Sequence, residues 1–147
     1  MTTSRARALT PHLFVRDADA AIMFYRDAFA AKELFRNRLP DGRVLFIEVA
    51  VGPARLLISE ETPSLNALAP PTIGGTPMLL LLEVEDVDAL ADRAIAAGAE
   101  VEIPIQEMFW GERYGVVRDP FGHRWALSTV REELTPDEIA GRAPDNV

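Results

Sequence analysis

His12, Glu48 and Glu83 are the side chains of this 147-residue chain best suited to move a proton or hold a ligand, because each falls at an alternate position of a largely apolar run. An imidazole that titrates near neutral pH and a partner carboxylate are enough for general acid–base chemistry, so His12 and Glu48 form the candidate catalytic pair. With Glu83 added, the same groups are the nearest approach to a divalent-metal set. Arg55 and Arg124 offer counter-charges to the two glutamates, since a carboxylate buried alone is costly. A second cluster, Met108-Phe109-Trp110-Gly111, puts three large apolar side chains into four residues. Such a cluster covers a ligand or a neighbouring subunit, or packs into the core. Arg113 and Tyr114 follow it and can supply polar contacts on the same rim.

Other chemistries are poorly represented. The chain has no cysteine, which removes disulfides, thiolate nucleophiles and Cys-based metal sites. Gly74-Gly75 lacks the following Lys and helix of a phosphate-binding loop. Ser59 and Ser128 carry no visible His and oxyanion framework of a hydrolase. His123, in the turn Phe121-Gly-His, reads as a structural hydrogen bonder. Asp119-Pro-Phe-Gly reads as an Asx-type turn, and Asp17, Asp19, Asp86 and Asp88 as helix-start residues favoured by the dipole. There are 15 Lys and Arg against 23 Asp and Glu, a net charge of −8, the wrong sign for a nucleic-acid partner. A wholly apolar run such as Met78 to Leu82 is far short of the roughly 20 residues that span a bilayer. Met-Thr-Thr-Ser-Arg-Ala-Arg has no apolar leader core behind it, so a cytoplasmic location is expected, with neither membrane nor nucleic acid as partner.

The elements that must position these residues come in two copies. Val15-Arg-Asp-Ala-Asp-Ala20 recurs as Val84-Glu-Asp-Val-Asp-Ala89, an offset of 69 that also carries Arg55 onto Arg124 and Ser59 onto Ser128. Each copy reads as strand, helix and three strands. In the first these are Leu9 to Val15, a helix capped by Asp17 that runs through Phe29, and strands near 33–38, 44–51 and 55–60. In the second they are Met78 to Glu85, a helix capped by Asp86 and ended by Gly98, and strands near 100–106, 113–118 and 124–130. The expected organisation is one domain over 1–147: module one at about 8–61, a linker at 62–76, module two at about 77–130, and a tail at 131–147. The linker, rich in Pro and Gly, predicts no regular element. In the tail, Thr135-Pro-Asp-Glu138 predicts a capping box and a short terminal helix.

With Met108-Phe-Trp-Gly-Glu-Arg-Tyr-Gly115, Asp119-Pro-Phe-Gly-His-Arg-Trp125 and Arg131-Glu-Glu-Leu-Thr-Pro-Asp-Glu138, this pattern resembles the vicinal oxygen chelate superfamily of glyoxalase and bleomycin-resistance proteins. Within it, the pattern is similar to the PhnB-like branch. The resemblance implies an α+β fold of two tandem βαβββ modules with cupped mixed sheets, a small molecule held in the cup, and a homodimer. Strand alternation sorts the side chains. Leu9, Pro11, Leu13, Val15, Leu45, Ile47, Val49, Leu56, Ile58, Met78, Leu80, Leu82, Val84, Trp125 and Leu127 are expected on the helix side. Thr10, His12, Phe14, Phe46, Glu48, Arg55, Leu57, Ser59, Leu79, Leu81, Glu83, Arg124, Ala126 and Ser128 are expected to face the cup.

Metal-dependent members of the superfamily place ligands at four inward points, which here hold Thr10, Leu57, Leu79 and Ala126. No metal or other cofactor is therefore expected. The expectation is a metal-independent binder that sequesters a small organic ligand of aromatic or cationic character, as antibiotic-resistance members do. Its contacts are expected from His12, Phe14, Phe46, Glu48, Leu57, Leu81, Glu83, Phe109, Trp110, Arg113, Tyr114 and Arg124. The alternative is a lyase-, isomerase- or dioxygenase-like enzyme, working through His12 and Glu48 or through a rebuilt metal site of His12, Glu48 and Glu83.

Overall fold

The computed structural model describes residues 4–147; Met1, Thr2 and Thr3, which open the N-terminal stretch read above for a leader, lie outside the described residues. In module one, β1 (His12–Val15) leads into α1 (Ala18–Phe29), followed by β2 (Lys32–Arg38), β3 (Val44–Val51) and β4 (Ala54–Glu60). A 3₁₀ turn at Pro63–Leu65 and α2 (Pro70–Ile73) lie in the linker. Module two repeats the order with β5 (Leu79–Glu83), α3 (Val87–Ala97), β6 (Glu100–Glu107), β7 (Glu112–Arg118) and β8 (Arg124–Val130), and α4 (Pro136–Arg142) ends the chain. The strands form two four-stranded mixed sheets, ordered β1-β4-β3-β2 and β5-β8-β7-β6, with the first strand of each module parallel to its fourth.

Local chemistry accounts for the helix limits. Asp17 and Asp86 accept the amides of Ala20 and Ala89 and so satisfy donors that the first turn leaves free. Gly98 ends α3 in the left-handed region that glycine tolerates. Thr135 and Glu138 form the reciprocal capping box that starts α4.

Helices α1 and α3 pack on each other, and both sheets turn their helix-bearing sides into one shared core. Leu13, Val15, Ile47, Val49, Leu56 and Ile58 enter it from module one, and Trp125 and Leu127 from module two. The opposite sheet faces therefore lie on the outside of the chain.

A polar centre joins the modules. The Asp119 carboxylate is buried and accepts from the backbone amides of Phe121 and His123, from Trp125 Nε1 at 3.0 Å and from the Tyr25 hydroxyl. Burial and the facing carboxylate hold the Tyr25 hydroxyl proton far more tightly than usual. Around it Tyr25 and Phe29 pack against Trp125, with ring centroids 5.5 and 4.8 Å apart. His123 Nε2 lies 2.9 Å from the Phe14 carbonyl, so this buried imidazole is a structural bonder between modules, as its turn position suggested.

Several expectations need correction. The first strand is His12–Val15 rather than 9–15, and Leu9 is 98% exposed instead of facing the helix. Pro11 has no amide with which to extend the ladder. The fifth strand is likewise shorter, and Met78, just before it, is exposed. Leu45 is exposed while Val44 takes the buried place, across from a register shift between Asn37 and Arg38. The linker does contain regular turns. Pro70 and Pro71 occupy first-turn positions of α2 and Gly74 closes it, so residues that read as breakers act as start and stop. Gly122 lets this helix dock, since a Cβ there would stand 2.7 Å from Pro70 Cβ.

Substituting Asp119 by Ala leaves two side-chain donors and two amides without an acceptor, and buried orphans cost about 1–3 kcal/mol each. Urea denaturation is expected to show a loss of about 3 kcal/mol or more for Asp119→Ala and a smaller loss for Tyr25→Phe. A loss under about 1 kcal/mol for Asp119→Ala would show that the centre does not hold the modules together.

Candidate functional site

On the open face of module one, ladder pairing lines up His12, Leu57, Glu48 and Phe35 in one row, and beyond it Phe14 pairs with Ser59 and Phe46 with Asn37. His12 stacks on Phe14 with centroids 4.5 Å apart, and its Nε2 lies 2.7 Å from Ser59 Oγ. Partial burial pulls the His12 pKa below its ordinary value, which favours the neutral ring that can accept the serine proton. Phe35 and Phe46 face each other at 5.6 Å, extending an aromatic floor. Glu48 takes Arg55 as counter-charge, 3.8 Å away, with both side chains substantially exposed.

The corresponding face of module two is built differently. Position 81, the repeat partner of His12, is Leu81, so Ser128 has no imidazole beside it where Ser59 does. The rows run Leu79–Arg124–Arg118, Leu81–Ala126–Val116 and Glu83–Ser128–Tyr114. Arg124 is held by Glu102 at 2.9 Å. Trp110 stands edge-on to both Phe109 and Tyr114, at 5.0 and 5.2 Å, and its Nε1 donates to Glu112 at 3.1 Å. Gly111, at φ +92°, carries the turn behind Trp110; the tail crosses so close that a Cβ there would meet the Glu132 carbonyl at 2.5 Å.

Between the free edges of β1 and β5 runs a seam. One hollow of about 500 Å³ is lined by Leu9, Pro11, Leu56, Leu80, Leu82 and Trp125 among others. A second, of about 390 Å³, lies beside His12, Met78 and His123. Thr10 and Leu80 border both. These volumes are in the range of small-molecule pockets. Alternation assigned Leu80 and Leu82 to the packed side, but the seam leaves both only half-buried. The exposure of Leu9 and Met78, which do not fill the seam, is a matter of tertiary placement that periodicity does not carry.

The structure brings His12, Phe14, Phe46, Glu48 and Leu57 together on one face, and Leu81, Glu83, Tyr114 and Trp110 on the other. Arg113 does not join them. Its guanidinium turns to Asp88 in the first turn of α3, at 2.7 Å, and holds that carboxyl below its usual range. Along the chain no histidine stands near Ser59, yet the fold sets His12 beside it. Parallel pairing of β1 with β4, together with the inward parity of both residues, is the signal that finds it. Among the described residues no three His, Asp or Glu side chains gather as a metal site, so His12, Glu48 and Glu83 do not converge within one chain. Thr10, Leu57, Leu79 and Ala126 offer at most one hydroxyl, and a divalent-metal centre does not fit that donor set.

The model of the Glyoxalase/Bleomycin resistance protein/Dioxygenase superfamily matches residues 7–127. The chain belongs to that superfamily. It is 42% identical over 135 residues to an uncharacterized protein of Mycobacterium bovis, covering 90% of this chain and 89% of the relative. A glyoxalase/bleomycin resistance protein/dioxygenase family enzyme from Burkholderia phytofirmans superposes with a TM-score of 0.67 at 26% identity, over 82% of this chain and 96% of that one. TioX from Micromonospora sp. ML1 gives 0.65 at 25% identity, over 87% and 99%. No helix among the described residues is long and apolar enough to cross a membrane.

The His12 ring, followed by the NMR signal of its Cε1 proton, is expected to titrate below 6.5. Because the folded-state value is the depressed one, the unfolded chain takes up the proton first as pH falls. The His12 contribution to stability is thus intact above 6.5 and lost on acidification through the folded-state pKa. His12→Asn should flatten that part of the stability curve; a ring titrating above 6.5 contradicts this account.

Proposed function

We propose that this protein is a metal-independent binder of a small organic molecule with an aromatic portion, sequestering a drug or metabolite rather than transforming it. The carrying observation is the composition of the open sheet faces. Where metal-dependent relatives need ligands, the chain has Thr10, Leu57, Leu79 and Ala126. Around those points it offers rings and aliphatic side chains: Phe14 and Phe46 on one wall, Leu81 and Trp110 on the other. Such a surface holds a planar ligand by stacking and exclusion of water, with a few polar groups to orient it.

A second copy completes the cup in this reading. Leu81 is 60% exposed, Phe35 52% and Leu79 37%, all on faces turned away from the shared core. Apolar groups in that position favour a partner surface, and a homodimer would set a module-one face opposite a module-two face. The location that suits this reading is the cytoplasm.

The His12–Ser59 contact favours a second reading, an enzyme in which neutral His12 takes a proton from carbon next to a carbonyl. Its mark would be exchange of the C3 protons of 4-phenyl-2-butanone in D₂O, lost in His12→Asn.

Phe46→Ala and Trp110→Ala are each expected to weaken binding of a neutral planar aromatic probe such as N-phenyl-1-naphthylamine by about fivefold or more. Chelator treatment should leave the affinity unchanged, and sedimentation should show a dimer. Binding that both variants retain in full, or that chelator removes, would overturn the proposal.

A further inference from the structure

Ser128 is fully buried, and among the described residues its hydroxyl is the buried side-chain polar atom without a hydrogen-bond partner. Its direction follows from its neighbours. Leu127 lies in the core, and Thr129 Oγ1 bonds the Val84 carbonyl and the Val87 amide at the start of α3. Ser128 therefore points to the opposite, open face. There it lies between Glu83 on β5 and Tyr114 on β7, its ladder partners on either side.

The surroundings of that oxygen are acidic and aromatic. Glu48, Glu100 and Glu102 are matched by Arg55, Arg118 and Arg124. Glu83 has no ion pair among the described residues, and Glu112 has only the Trp110 N–H. Trp110 and Tyr114 stand edge to face beside them. A corner with uncompensated carboxylates, two electron-rich rings and a free hydroxyl acceptor is short of one thing, a cation that donates hydrogen bonds.

We propose that this corner recognises an organic ammonium group. The positive nitrogen faces Glu83 and the rings of Trp110 and Tyr114, and one of its N–H groups donates to Ser128 Oγ. The inference rests on the open faces being the ligand cup, and it adds the charge and the orientation of the ligand. All the residues come from module two, so the corner is complete in one chain. A ligand donor reaches Ser128 only if a neighbouring side chain turns aside, which makes tryptophan emission a natural reporter. The net charge of −8 draws cations toward such a site.

The test compares 4-phenylbutylamine with its neutral counterpart 4-phenyl-1-butanol, titrated into the full-length protein by calorimetry and tryptophan fluorescence. The amine is expected to bind about tenfold more tightly, with the preference shrinking as salt rises. Glu83→Gln should remove most of that preference by weakening the amine far more than the alcohol. Ser128→Ala should weaken the amine about threefold yet leave the thermal midpoint unchanged or higher, because an orphaned hydroxyl has been removed. A purely structural serine would not separate affinity from stability in this way. Equal binding of the two probes, with both weakened by Phe46→Ala, overturns the ammonium assignment and leaves the cup intact. Retention of the preference in Glu83→Gln overturns it as well. If neither probe binds, the cup reading falls together with it.

Discussion

Asp119 brings a carboxylate into the interior and surrounds it with donors from both halves of the chain. Two are amides of its own turn, one is the indole of Trp125, and the fourth is the hydroxyl of Tyr25 on the helix of the other module. A buried carboxylate is tolerated only when its lone pairs are occupied. Meeting that demand fixes the β7–β8 turn, the ring of Trp125 and the approach of α1 together. The shared core and the outward direction of the open faces depend on this junction, because it sets which side of each sheet is covered.

The edge of the first sheet is managed by the same turn. The carbonyls of Pro11 and Val15 accept from the amides of Leu57 in β4 and Glu61 just after it, which leaves that of Phe14 on the free side of β1. His123 occupies it. A short edge strand with a capped carbonyl offers little template to another chain. The seam begins where this capping ends, since β1 and β5 present their edges without pairing to each other.

Much of the architecture could be read from residue types. The helix bounds follow from Asp17, Asp86 and Gly98, and the capping box from Thr135 and Glu138, because these devices are local. The repeat exposed the order of elements, and alternation placed Ile47, Ile58, Trp125 and Leu127 on the packed side. Leu9 and Met78 have the right parity but sit beyond the ends of their strands, where parity says nothing about reach, while Leu45 loses its parity to the register shift that buries Val44 instead. Its place shortly after Trp110 puts Arg113 near the rim in sequence, yet a guanidinium goes where a carboxylate awaits it, and Asp88 lies across the fold. Pro70 and Pro71 looked like breakers but begin a turn, since a proline costs nothing at a position whose amide would be free anyway. Of the site, the identity of the facing residues was legible. The contact of His12 with Ser59 and the isolation of Ser128 were not, because both are properties of two strands paired rather than of one strand read alone.

The two modules repeat one order of elements but carry different side chains on their open faces. Where one carries an imidazole beside a serine, the other carries a leucine beside the equivalent serine. In the proposed cup a guest meets an imidazole on one wall and a leucine at the equivalent place on the other, so it cannot be flipped end for end without penalty. Duplication supplied symmetry to the scaffold, and a single exchange of histidine for leucine is enough to give the hollow a head and a tail.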